Sequence, residues 1–159
     1  MKAVWFFGLS ALGILLALAA YLAPLHPPLV ALQFTFSREA FEAVASQWGE
    51  QGVALFRSHL YPDFGLMAAY ALYGVCSVRY TRLFQMRFVP PIFWYAIMPL
   101  AALADVAENT LHLAITVPQA QPQDWWYCAA GVSASLKFAL IAFFLLTAIR
   151  RGWALRSRD

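Results

Sequence analysis

Five polar side chains, Asp105, Glu108, Asn109, His112 and Thr116, are set into an otherwise apolar stretch at about residues 90–117. Counted from Asp105 they recur after three, four, seven and eleven positions, a spacing that returns to one face of a helix with about 3.6 residues per turn. The stretch exceeds the roughly 20 residues a transmembrane helix needs. Its polar face cannot be turned toward lipid. On insertion scales an acid near the bilayer centre costs roughly 2.5–3.5 kcal/mol, while each Leu, Ile, Phe or Val returns only about 0.3–0.6. The face must therefore meet protein or water, which requires further helices to pack against it.

The rest of the chain supplies them. Of the 159 residues, 62% are hydrophobic and only 12% charged, too apolar for an ordinary soluble domain. Three more apolar runs occupy about residues 3–25, 63–79 and 125–149. The first can also be read as the core of a secretory signal, but it continues through Tyr21-Leu22 to nearly full spanning length and is expected to stay as a helix. Pro62 is placed at the start of the second span, where its missing N–H costs nothing. Pro90-Pro91 opens the third, and Pro99 is expected to kink it. The expected fold is all-α: a single domain over 1–159, built as an integral membrane four-helix bundle.

Orientation follows from the short flanks. If four helices alternate, Lys2, Arg79, Arg82, Arg87, Arg150, Arg151, Arg156 and Arg158 share one side, eight of the 11 Lys and Arg residues. Arg38 and Arg57 lie opposite, with Glu39, Glu42, Glu50 and Asp124. Both termini are accordingly expected in the cytoplasm, in a bacterial inner membrane. Trp125-Trp126-Tyr127 reads as an outer boundary belt and Trp94-Tyr95 as an inner one. The net charge of +3 is a topological signal, and no nucleic-acid partner is expected. Cys76 and Cys128 fall at different depths, too far apart to bridge.

Residues 26–62 form an extracytoplasmic segment between helices one and two. Ser37 is a fitting N-cap with Glu39 in the first turn. Phe41, Val44, Ala45, Trp48, Gly52, Leu55 and Phe56 then keep helical spacing, while Arg38, Glu42, Gln47 and Gln51 face away. An amphipathic helix bent at Gly49 is expected, lying at the interface or roofing the bundle.

The fourth run carries Lys137, twelve residues from the outer boundary at Trp125, and Asp105 stands twelve residues from Val117 at the same boundary. In antiparallel helices rising about 1.5 Å per residue the two share a depth, so an Asp105–Lys137 contact is expected, with Glu108 competing one turn outward. Ser133 lies one turn outward from Lys137.

These residues define a candidate binding site of Asp63, Asp105, Glu108, Asn109, His112, Ser133 and Lys137, suited to a small amphiphile, lipid head group or ion. Two other classes compete. The ion pair can simply fix helix packing in a structural or assembly subunit, as a homo-oligomer or in a membrane complex. Alternatively, His26, His59, Asp63, Glu108 and His112 can be read as ligands of a metal-dependent hydrolase, with Glu108 as general base, His112 holding a water and Lys137 stabilising negative charge. No complete catalytic motif accompanies that set, and the sequence requires no cofactor.

Overall fold

The computed structural model describes residues 1–119 and 121–157 and is helical throughout, with no strand among the described residues. The helices are α1 (Lys2–Tyr21), α2 (Leu29–Gln33), α3 (Arg38–Tyr80), α4 (Pro91–Ile115) and α5 (Asp124–Arg156). Three of them, α1, α4 and α5, are long and apolar enough to cross a membrane. The side chains that α1 leaves exposed include Trp5, Phe6, Leu9, Leu12 and Leu16, as lipid contact requires and water would penalise.

Several boundaries differ from the sequence expectation. Helix α1 stops at Tyr21 rather than near residue 25, because Pro24 brings no N–H and disfavours helical geometry in the residue before it. The stretches expected as an amphipathic segment and as a second span form one 43-residue helix, α3, broken only at Gly49. There φ is 64° and ψ −175°, a combination only glycine adopts without strain. Pro62 therefore sits well inside a helix rather than at its start. The helix runs on because a single buried stripe passes through it, formed by Phe56, His59, Asp63, Met67, Tyr70 and Gly74 at steps of three or four, with Leu60 beside His59. Helix α3 is not among the three helices long and apolar enough to cross a membrane. At the other end α5 continues past residue 149 to Arg156, and Arg158 lies outside the described residues.

Packing proceeds from neighbour to neighbour, α1 on α3, α3 on α4 and α4 on α5, while the short α2 bridges α3 and α5. No Cα of α1 comes within 8 Å of one of α5, so the row of long helices does not close. Two apolar cores result. The one toward the 26–62 segment gathers Leu25, Leu32, Phe41, Trp48, Phe56, Ile115 and Tyr127. The other, toward the 79–87 loop, gathers Met67, Phe84, Trp94, Ile97, Met98 and Phe144. Trp94, expected as an interfacial anchor, is instead buried in this second core, its ring stacked on Phe143 and tilted against Phe84. Cys76 and Cys128 are both unbridged.

The amphipathic stretch at the start of α3 behaves as its pattern dictates. The Ser37 hydroxyl accepts from the Ala40 N–H at 3.2 Å, and Phe41 and Trp48 are buried while Glu42 and Gln47 are exposed. Trp48 donates its indole N–H to the Pro27 carbonyl at 2.7 Å, and Phe41 packs edge-on against Tyr127. Arg38 and Asp124 clasp the outside of this roof at 2.8 Å, and the Asp124 carboxylate raises the guanidinium above its ordinary pKa. The stretch thereby covers the ends of α4 and α5.

Candidate functional site

Between the two apolar cores lies a polar layer. Its residues come from three helices: Asp63 from α3, Asp105, Glu108, Asn109 and His112 from α4, and Lys137 from α5, all buried. Helical periodicity puts the four α4 residues on one face, and that face is covered by α3 on one side and α5 on the other.

Lys137 anchors the layer. Its Nζ donates to Oδ1 of Asp105 at 2.7 Å and lies equally close, at 2.7 Å, to Oε2 of Glu108. The expected contact with Asp105 is present, and Glu108 joins it rather than competing. The approach is permitted by small residues on α5, since Ala130, Gly131 and Ala134 are buried against their neighbours. A Cβ at Gly131 would overlap the carbonyl oxygen of Thr35, which shows how closely the linker before α3 lies on α5.

Two further bonds tie α3 in. The Tyr70 hydroxyl donates to Oδ2 of Asp105 at 3.1 Å, and the Asn109 amide donates to Oδ2 of Asp63 at 2.8 Å. Asp105 thus receives donors from both adjacent helices. Asp63 has no Lys, Arg or His nitrogen within 4.0 Å among the described residues.

Glu108 and His112 are sealed in more tightly, at 0% and 1% exposure. Oε1 of Glu108 lies 3.8 Å from Nδ1 of His112, and neither atom has an aligned hydrogen-bond partner. The rings of Phe41 and Phe56 flank His112, at 5.8 Å and 5.5 Å between centroids. Beyond them, Arg57 donates to the Leu113 carbonyl at 2.9 Å and to the Thr116 hydroxyl at 2.6 Å. It caps the last turn of α4 with the positive charge that helix end favours.

A cavity of about 1030 Å³ runs along the gap between α1 and α5, from Met1 and Trp5 at one end to His26 and Pro28 at the other. Its walls are apolar, among them Leu12 and Leu15 of α1 and Phe138, Ile141 and Leu145 of α5. Its floor is the exposed edge of the polar layer: His59, Asp63, Tyr70, Asp105 and Lys137. Gln33 of α2 also lines it.

Not every residue singled out by sequence joins this arrangement. Ser133 is half-buried, makes no side-chain hydrogen bond and does not line the cavity. Glu108, Asn109 and His112 stand behind the floor, so a base at Glu108 has no open path to a substrate in the cavity. His26 is exposed at one end of the cavity, while His59 is buried with Nδ1 against the Phe56 carbonyl. Among the described residues no three His, Cys, Asp or Glu side chains converge as a metal site would require. Tyr70, Gln33 and, beyond the layer, Arg57 escaped the sequence reading as contributors to the site. Arg57 was signalled by being one of only two basic residues on its side of the chain, whereas nothing in the sequence marked Gln33.

Comparison of the chain with protein-family models, with curated proteins and with solved structures found no match.

Proposed function

We propose that this protein is a four-span membrane protein, with both termini in the cytoplasm, that binds a small amphiphile from the bilayer in the lateral gap between α1 and α5. The second half of α3 serves as the additional span. From Glu50 to Tyr80 it is about 45 Å long at 1.5 Å per residue, ample for a hydrocarbon core of about 30 Å. Basic residues on the 79–87 loop and after residue 149 support the orientation.

One observation carries the functional reading: the cavity combines long apolar walls with an ionic floor. A bilayer already solvates alkyl chains, so apolar walls alone would select nothing from it. The floor supplies selectivity, because a polar head group drawn into the layer exchanges hydrocarbon for charged partners. The open side between α1 and α5 admits a ligand from lipid without passage through water. A structural or assembly role remains as the second reading, favoured by the closeness of Lys137 to both Asp105 and Glu108.

Photocrosslinking separates the two. An alkyl amphiphile with a photoreactive chain should label the facing walls, at Leu12, Phe138 and Ile141. Labelling spread evenly over the outward positions Phe6, Leu16 and Leu146 would leave the structural reading standing alone.

A further inference from the structure

From the charge balance of the cavity floor we infer that the bound amphiphile carries a cationic head, a protonated amine or quaternary ammonium, and that Asp63 is its counter-ion. The inference rests on the amphiphile-binding reading and specifies its ligand class.

In the polar layer three carboxylates, Asp63, Asp105 and Glu108, share one ammonium, that of Lys137. Lys137 is already committed. It touches Asp105 and Glu108 at 2.7 Å each, and its Nζ lies 5.0 Å from the Phe138 ring centroid. The other cation on this part of α3, Arg57, is held by the Leu113 carbonyl and Thr116 at the end of α4. Asp63 is therefore left without a cation within 4.0 Å among the described residues.

Its position makes this consequential. Asp63 is only 9% exposed, and the surface it retains faces the cavity rather than bulk solvent. Asn109 occupies Oδ2 as a hydrogen-bond donor, which orients the carboxylate without neutralising it. A buried carboxylate in a low-dielectric layer is strongly stabilised by an opposite charge placed against it. A cationic head group lying in the cavity supplies that charge, and its alkyl chain lies along α1 and α5. Tyr70, also on the floor, adds an aromatic neighbour of the kind that favours cations. An anionic head would meet the surplus carboxylates and be repelled, while a neutral head would leave Asp63 unpaired.

The test uses the full chain purified in a neutral maltoside detergent, with two probes of equal chain length: tetradecylamine and its uncharged N-acetyl derivative. Binding is measured by native mass spectrometry titration. The wild type should bind the amine at least about tenfold more tightly, a difference of about 1.4 kcal/mol. Asp63→Asn should abolish that preference, and Asp63→Glu should keep it. Equal binding of both probes by the wild type would overturn the cationic assignment and leave amphiphile binding intact. Failure of the wild type to bind either probe would overturn both. A preference that persists undiminished in Asp63→Asn would overturn the role of Asp63.

Discussion

Lys137 of α5 reaches Asp105 of α4 at 2.7 Å across a buried helix interface, and the same ammonium stands 2.7 Å from Glu108 one turn away. This three-membered contact shapes the consequences of mutation. Removing the cation strands two carboxylates in a layer between apolar cores, and removing one acid leaves the other paired.

Lys137→Leu should therefore lower stability by about 3–5 kcal/mol, the usual cost of breaking a buried pair from one side. Replacing Asp105 with leucine as well should recover only part of the loss, because Glu108 remains unneutralised. The triple replacement Lys137→Leu, Asp105→Leu, Glu108→Leu should recover most of it. Thermal unfolding in detergent reads the series, and full recovery already in the double variant would show that Glu108 is not part of the charged contact.

Two glycines of α3 should respond oppositely to alanine. At Gly74 a Cβ would overlap the Met98 side chain, so Gly74→Ala should separate α3 from α4 and cost about 1–3 kcal/mol. Gly65 has open space where its Cβ would stand, so Gly65→Ala should be neutral or stabilising by up to about 1 kcal/mol. Melting temperatures of the two variants suffice, and equal effects would contradict the α3–α4 packing.

Asn109→Leu removes the donor that orients Asp63 and should destabilise by about 1–3 kcal/mol. Adding Asp63→Leu should return most of the stability, since both polar groups are then gone together. Simple additivity of the two losses in a double-mutant cycle would show that they do not interact.

Arg57→Met should cost about 1.5–3 kcal/mol through its charged hydrogen bonds to the Leu113 carbonyl and Thr116, and amide exchange in the last turn of α4 should quicken. Arg38→Gln, at an exposed pair with Asp124, should change the melting temperature little, and less still in high salt.

Much of this organisation was legible in the sequence because it depends on period and depth. The interval from Asp105 to His112 fixed one helix face, and equal counts from the outer boundary put Asp105 level with Lys137. The cap at Ser37 and the break at Gly49 were visible for similarly local reasons. Pro62 misled, since its preference for a first turn is weak against a buried stripe that runs unbroken from Phe56 to Gly74. Trp94 misled because an indole suits both a membrane boundary and an aromatic core, and only the positions of Phe84 and Phe143 decide between them. The cavity had no sequence signature: it exists because α1 packs on α3 and leaves the facing side of α5 open, a property of four helices together. The separation of Glu108 and His112 from the cavity floor was hidden for the same reason.

The central claim, that the gap between α1 and α5 holds an amphiphile, is tested most directly by native mass spectrometry of protein extracted in mild detergent. The wild type should carry one retained amphiphile that is absent from Ala19→Trp, a substitution that puts an indole into the cavity from an exposed α1 position lining it. A wild type that emerges bare, or a retained mass that survives unchanged in Ala19→Trp, would contradict it.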